Sequence, residues 1–154
     1  MNFLSSPGPS ASSLFPPLPG IRDQRPRCLC WEREDRWLLA LRHAGAEATW
    51  ELCPVAPDDT PNFGSHTGKT AFLVISADLL DQPATQTFIT SLVNATPPLS
   101  WVVEIPPHAS PLLSLWLYQA GAVYVFDSPL QAPQLLDILQ RQASIFTTNP
   151  SGNL

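Results

Sequence analysis

Six residues at the predicted ends of strands are this chain's candidates for chemistry. In the 154-residue sequence they are Glu32, Arg33, Ser76, Asp78, Glu104 and Ser128. The carboxyl ends of parallel strands meet at one edge of a sheet, and ligands of open α/β sheets bind there. Carboxylates at that edge are suited to hold Mg²⁺, whereas a cation among them would pair with them instead. The residue types therefore predict a polar pocket at one end of a sheet.

Two other arrangements resemble catalytic sites. The segment GSHTGKT at 64–70 has three residues between its glycines where a phosphate loop has four, and it precedes a strand instead of a helix. Ser76, His108 and Asp127 would form a hydrolase triad, although no nucleophile-elbow glycines surround Ser76. We expect no nucleotide site, and a small hydrolase stays as an alternative function.

Metal and cofactor sites are not predicted. The three histidines are scattered along the chain without metal-ligand spacing. Cys28, Cys30 and Cys53 fit reduced thiols of a core better than a Zn²⁺ site, which needs four N or S ligands. We therefore expect no bound metal and no cofactor.

The elements that would position the pocket are marked most clearly near the C-terminus. Ser110 is a candidate helix N-cap, and Gly121 can end the same helix in a left-handed conformation. The apolar run Ala122–Phe126 predicts a strand covered on both faces, and a Leu-rich helix follows it. Two helices flanking one apolar strand imply a parallel sheet.

The same patterns predict the remaining elements. Strands are expected at 27–32, 46–53, 70–76 and 99–105, and helices at 36–44 and 83–94. Pro and Gly residues between 55 and 69 disfavour a helix there. The expected fold is α/β, a three-layer, doubly wound, five-stranded parallel sheet in which a Pro/Gly-rich loop replaces the second helix.

The segment GAVYVFDSPLQAPQLLDIL at 121–139 resembles the end of a CheY-like response-regulator receiver domain. A Gly-Ala helix stop, a buried strand, a proline junction and a Leu-rich final helix occur in the same order. Over residues 27–142 the order of elements also agrees with this flavodoxin/CheY-like topology. Ser128 stands where the family has a lysine before the proline.

The resemblance implies a site that lacks several of its usual residues. A phosphoryl-accepting receiver needs a nucleophilic carboxylate, acids that hold Mg²⁺, a hydroxyl and a lysine. The acceptor position falls on Ser76, the hydroxyl position lies near Glu104, and Glu32 remains as one acid of the metal pair. Arg33 stands where the second acid is expected. We interpret the domain as a degenerate receiver, or pseudo-receiver, with an atypical phospho-receiver that uses Asp78 as an alternative.

Arg33 is a cation among strand-end acids, and its role has two interpretations. It is predicted to fill the metal position and to pair with Glu32 or Glu104. This pairing would hold the receiver's switch permanently in one state. Alternatively, the Glu-Arg-Glu-Asp run at 32–35 is a solvated helix start, with Asp35 as the cap and its acids placed favourably against the helix dipole.

The resemblance also implies an interaction face. Receivers dimerise or meet partners through the last two helices and the last strand, where the candidate residues are Trp116, Tyr124, Val125 and Pro129. Val125 occupies the usual place of a switch aromatic, and Tyr124 is one residue away. We expect a signalling module that binds an unidentified protein partner or a second copy in a homodimer.

Composition limits the partners and the location. Charged residues make up 14% of the chain and the net charge is −5, which disfavours nucleic-acid and anionic-membrane binding. No segment reaches the roughly 18 apolar residues of a membrane span, and the first residues do not resemble a signal peptide. We expect a cytoplasmic protein.

The expected domain organisation has three parts. A disordered Ser/Pro-rich arm at 1–26 precedes a receiver-like domain at 27–143, and a flexible tail occupies 144–154. Within the arm, the sequence LFPPLP at Leu14–Pro19 is interpreted first as part of a plain tail, with a polyproline-type ligand for an aromatic groove as the alternative.

Overall fold

The computed structural model describes residues 25–61, 71–93 and 99–148, which form alternating strands and helices. The elements are β1 (Arg27–Trp31), α1 (Arg36–His43), β2 (Glu51–Val55), β3 (Ala71–Ile75), α2 (Pro83–Leu92), β4 (Leu99–Glu104), α3 (Pro111–Ala120), β5 (Tyr124–Phe126) and α4 (Ala132–Thr148). Short 3-10 turns lie at Ala46–Ala48, Ala77–Leu79 and Pro129–Gln131. No helix within these ranges is both long and apolar enough to cross a membrane.

The five strands form one parallel sheet in the order β2-β1-β3-β4-β5. This order confirms the predicted doubly wound, flavodoxin/CheY-like fold. Its register decides the geometry of the pocket, because Trp31, Ile75 and Val103 lie side by side on β1, β3 and β4. The residues that follow them, among them Ser76 and Glu104, therefore emerge at the same edge of the sheet.

The sheet carries one apolar core on each face, as a three-layer fold requires. Alternate strand residues point to opposite faces. One core joins the sheet to α1 and α4 through residues such as Cys28, Trp37, Leu41, Phe72, Val74, Phe126, Leu135 and Leu139. The other joins it to α2 and α3 through residues such as Leu29, Trp31, Leu73, Ile75, Ile89, Trp101, Val103 and Leu117.

The connection between β2 and β3 is described in part. Residues 56–61 form turns and no helix, and residues 62–70, with the rest of the predicted Pro/Gly-rich loop, lie outside the described residues. Trp31 Nε1 donates a hydrogen bond of 3.1 Å to the carbonyl of Ala56, and its ring meets Phe88 edge to face at 5.2 Å. Trp31 therefore anchors the start of this connection to the α2 side of the sheet.

Both edge strands differ from their predicted bounds. The predicted strand at 46–53 is a 3-10 turn followed by β2, and Pro54 lies inside β2 instead of closing it. An edge strand tolerates this proline because its missing N–H would not pair with a neighbour. The predicted strand Ala122–Phe126 is shorter, and its cover is partial, because β5 lies at the other edge with Tyr124 and Val125 half-buried against the two cores.

The helix signals near the C-terminus are confirmed. Ser110 Oγ accepts the N–H of Leu112 at 3.1 Å, and Gly121 ends α3 with a φ of +116°. Helix α4 continues to Thr148, beyond the domain end predicted at 143. The predicted arm lies outside the described residues up to residue 24, and so does the chain after Thr148.

Candidate functional site

The carboxylate of Glu104, the last residue of β4, is the centre of the strand-end pocket. Its side chain is only 6% exposed. Atom Oε1 accepts four hydrogen bonds, from Arg36 Nη2 at 2.7 Å, Trp37 Nε1 at 3.0 Å, Ala77 N at 3.1 Å and Ser76 Oγ at 3.3 Å. Atom Oε2 accepts a fifth from Arg36 Nη1 at 3.2 Å. The Arg36 fork therefore binds both carboxylate oxygens, the strongest geometry for such a pair.

Arg36 is the first residue of α1 and supplies the cation of the pocket. Helical side chains lean toward the N-terminus of their helix, so a first-turn arginine can lie over the strand ends. Its Nη2 atom also donates to Ser76 Oγ at 2.9 Å. The hydrogen bond to Glu104 raises the pKa of Arg36. The nearby negative charges of Glu104, Asp78 and Glu32 also raise this pKa, whereas burial lowers it. The arginine is therefore permanently charged.

Glu32 caps helix α1. It is 4% exposed, and its two oxygens accept the backbone N–H groups of Trp37 and Leu38, each at 2.9 Å. Burial raises the pKa of Glu32, while these two hydrogen bonds and the charge of Arg36 oppose the increase. Asp35 occupies the N-cap position but makes no side-chain cap, so its predicted role is wrong. Glu32 satisfies first-turn N–H groups that otherwise lack partners.

The predicted pairing of Arg33 is also wrong. Arg33 lies in the bend between β1 and α1 and is exposed, as are Glu34 and Asp35. The residue that pairs with Glu104 is Arg36, one helical turn later. The alternative of a solvated helix start therefore holds for residues 33–35, whereas Glu32 is buried.

Ser76, Asp78 and Ser128 lie around the same end of the sheet in different roles. Ser76 is completely buried beneath Arg36 and Glu104. Asp78 and Ser128 line a cavity of about 470 Å³ above the pair, whose other charged lining residues are Arg36, Glu104 and Asp127. The Ser128 hydroxyl accepts the N–H of Leu130 at 3.1 Å. Ser128 thus caps the turn before α4 at the position where the resemblance expects a lysine.

The residues do not fit the Mg²⁺ ion that the resemblance implies. Both oxygens of Glu32 accept N–H groups of α1, and both oxygens of Glu104 are bound by Arg36. A guanidinium therefore occupies the region where the family's acids would face a metal. In the part of the chain that the structure describes, no group of three or more His, Cys, Asp and Glu side chains could hold a metal ion.

The hydrolase alternative gains no support from the geometry. A nucleophilic serine must be accessible and hydrogen-bonded to a base. The Ser76 hydroxyl is buried, and its hydrogen bonds go to Arg36 and Glu104. His108 and Asp127 are exposed at this end of the sheet.

The four predicted face residues lie in different surroundings. Trp116, 41% exposed, lines a groove between α2 and α3, and Pro129 lines the strand-end cavity. Tyr124 packs on Phe126 with a centroid distance of 4.7 Å. The backbone N–H of Val125 donates to the Tyr118 hydroxyl at 3.1 Å. The larger exposed apolar side chains around them are Leu112, Leu115, Tyr118, Val123 and Leu130.

Sequence reasoning missed Arg36 and Trp37 as residues of the pocket. Both lie in the helix predicted at 36–44, and Trp37 is fully buried. Its indole N–H nevertheless reaches Glu104, 67 residues away in sequence. The available signal was position, since first-turn side chains of the helix after β1 overhang the strand ends.

Solved structures share this fold at low sequence identity. A response regulator from Thermotoga maritima matches with a TM-score of 0.61 and 14% identity, covering 78% of this chain and 98% of that one. The signal receiver domain of a putative Luxo repressor protein from Vibrio parahaemolyticus matches with a TM-score of 0.55 and 17% identity, covering 80% and 94%. A CheY-like response regulator from Mesorhizobium loti gives 0.53 and 18%, covering 77% and 98%. No protein-family model and no curated protein sequence matches this chain. The chain has the fold of CheY-like response-regulator receiver domains.

Proposed function

We propose that this protein is a receiver-like signalling module that does not accept a phosphoryl group and acts through protein contacts. The observation that carries the proposal is the buried Glu104 carboxylate, which accepts five hydrogen bonds at the place where the family carries out phosphoryl transfer. A negative group with its own counter-ion already occupies this position.

The hydrogen bonds of Glu104 join three elements into one arrangement. They connect the end of β4 to α1 through Arg36 and Trp37, and to the end of β3 through Ser76 and Ala77. A switch needs a charge that appears and disappears at such a junction. The charges of Arg36 and Glu104 are both fixed parts of the sequence, so the proposed module holds one state.

Helix α3 offers the surface for protein contacts. Three apolar residues of this helix are exposed to solvent, Leu112 to 72%, Leu115 to 53% and Trp116 to 41%. A helix that is apolar on its outer side is typical of an interaction site. We propose a protein partner for this surface. The homodimer and the cytoplasmic location expected from the sequence stay predictions.

A phospho-receiver that uses Asp78 is the second candidate. Asp78 lies in the turn after β3 and lines the strand-end cavity. Its Oδ1 atom is buried without a hydrogen-bond partner in the described part of the chain, so no protein donor competes for this oxygen, but it would have to become exposed to meet a phosphoryl donor. Among the residues that the structure describes, the one cation lining this cavity is Arg36, which is already bound to Glu104.

Mass spectrometry after incubation with acetyl phosphate and Mg²⁺ tests the proposal. We expect no phosphoryl adduct on the intact protein. An adduct that is lost in an Asp78→Asn variant would overturn the proposal and establish the second candidate. An adduct that persists in that variant would also overturn it and would identify a different acceptor. A functional receiver domain treated in parallel shows that the reagent is active.

A further inference from the structure

A groove between α2 and α3 lies outside the strand-end pocket. It encloses about 490 Å³, and its apolar wall consists of Leu80, Pro83, Ile89, Leu113 and Trp116. Ile89 is completely buried at its base, whereas the Trp116 ring is 41% exposed. The groove therefore offers an aromatic and aliphatic surface open to one side.

The remaining wall of the groove is polar without charge. It is formed by Gln86, Thr87 and Thr90, and no charged side chain of the described residues lines the groove. Hydroxyl and amide groups can donate hydrogen bonds to backbone carbonyls. Proline-rich segments have exposed carbonyls, few N–H groups and a preformed extended conformation, and they bind to aromatic grooves. The chemistry thus favours an uncharged, proline-rich occupant over a charged peptide.

We propose that the groove binds the chain's own segment Leu14–Pro19. Its sequence, LFPPLP, combines three prolines with two leucines and a phenylalanine. The first charged residue of the chain is Arg22, so the whole segment matches the uncharged groove. Because Trp116 would be covered in this state, arm binding would also restrict access to the exposed side of α3.

The length of chain before β1 is sufficient for this arrangement. Helices α2 and α3 share a core with β3 and β4, which places the groove one layer, about 10 Å, from the sheet. Strand β4 is two strand spacings, again about 10 Å, from β1. Arg25 precedes the amino end of β1, whereas α2 and α3 begin beyond the carboxyl ends of β3 and β4, so the groove is also displaced along the strands by up to about 16 Å. The three components combine to roughly 20 Å, and the chain from Pro19 to Arg25 extends to about 20 Å. An intramolecular contact therefore requires this linker to be nearly fully extended.

Backbone and indole NMR spectra of the full chain test the proposal. We compare the wild type with a Phe15→Ser/Leu18→Ser variant, and with a matched Phe3→Ser/Leu4→Ser variant that changes the same residue types elsewhere in the arm. Only the first variant should shift the amide signals of Gln86, Thr87 and Thr90 and the indole signal of Trp116. These arm substitutions leave the core unchanged, so the other domain signals report an intact fold.

A groove variant provides the reciprocal measurement. Thr87 is an exposed residue of the groove wall, and Thr87→Arg places a long charged side chain there. The signals of Phe15 and Leu18 should then move toward their positions in a peptide of residues 12–21. Unchanged groove signals in the Phe15→Ser/Leu18→Ser variant, or equal changes in the Phe3→Ser/Leu4→Ser variant, would overturn the proposal. Changes that disappear on dilution would assign the groove to the arm of a second copy and overturn the intramolecular contact.

The outcome is independent of phosphoryl transfer. The groove and the strand-end cavity have no lining residue in common. The NMR comparison can therefore fail while the acetyl phosphate experiment succeeds, and the reverse also holds.

Discussion

The Glu104 carboxylate is stable in its buried position because protein donors replace water. An ionised carboxylate without partners would cost several kcal/mol to bury. Its side chain is 6% exposed, and both oxygens are hydrogen-bonded. Arg36 contributes two of the five hydrogen bonds and the only full positive charge among the donors. The stability of this end of the sheet should therefore depend on Arg36 more than on any other donor.

Arg36→Ala should reduce the free energy of unfolding by about 2 kcal/mol, because it removes charged hydrogen bonds from a buried acceptor. The Arg36 side chain is 36% exposed, so the loss should be smaller than the ~3–5 kcal/mol of a fully buried pair. Denaturant unfolding measures the change. Arg33→Ala, an exposed control three residues earlier, should stay within about 0.5 kcal/mol of the wild type. Equal effects of the two substitutions would contradict the assignment of Arg36 to the pocket.

Glu32 should make stability depend on pH. Burial raises its pKa in the folded state, so the folded chain binds this proton more readily than the unfolded chain. Its contribution is then complete below the ordinary glutamate pKa of about 4.3 and decreases as pH rises through the higher folded value. We expect the stability difference between wild type and Glu32→Gln to fall over that range in urea titrations. A difference that rises with pH would refute the prediction.

The sequence was sufficient to find most of the pocket but not its cation. Glu32, Ser76 and Glu104 are recognisable because strand ends must converge in a parallel sheet. The choice between Arg33 and Arg36 depends on the bend before α1. This bend turns Arg33 to solvent and brings Arg36, in the first turn of α1, over the end of the sheet. Local patterns do not determine that bend. The capping role of Glu32 was missed because the acid lies outside the usual N-cap position.

At the scale of elements, both edges of the sheet are protected against further strand pairing. At one edge Pro54 lies within β2 and lacks a backbone N–H. At the other edge the Tyr118 hydroxyl accepts the N–H of Val125, so the side chain of α3 covers β5. Exposed strand edges otherwise bind other strands. A partner is therefore expected to contact helix surfaces and not to extend the sheet.

Tyr118→Phe should remove the protection of the β5 edge. The loss of this hydrogen bond should cost about 1 kcal/mol and should speed amide hydrogen exchange at Val125. Tyr124→Phe is the matched control, since no hydrogen bond of its hydroxyl occurs in the described part of the chain. Exchange at Val125 that is equally fast in both variants would show that the Tyr118 hydroxyl does not protect the edge.

The order of elements was predictable because each junction carries its own signal, such as Ser110 and Gly121 around α3. Strand bounds were not predictable at the edges. A proline such as Pro54 ends a central strand but can lie inside an edge strand, and the apolar residues before Tyr124 likewise predict different strand bounds in the two positions. Which strands lie at the edges depends on the order of strands in the whole sheet. The predicted arm and most of the loop between β2 and β3 lie outside the described residues.

At the scale of the whole molecule, the three cysteines lie in both cores, so their reactivity measures how each core opens. Cys28 and Cys30 are fully buried on the α1 and α4 side of the sheet, whereas Cys53 is half-buried and packs on the α2 and α3 side. The hydrogen bond that the Cys30 thiol makes with Cys28 raises the pKa of Cys30, as does burial, and burial raises the pKa of Cys53. All three are free thiols, and the sheet separates Cys53 from the other two.

Thiol labelling should therefore count one accessible cysteine in the folded protein and three in denaturant. Cys53 should react slowly, because its raised pKa reduces the thiolate that attacks the reagent. Cys28 and Cys30 should react only when the sheet opens, at a rate that follows global unfolding across denaturant concentrations. Cys53→Ser should abolish labelling of the folded protein and leave the labelling rates of Cys28 and Cys30 unchanged. Labelling of two thiols in the folded Cys53→Ser protein would show that the core around β1 opens locally, and the domain would then not unfold as one cooperative unit.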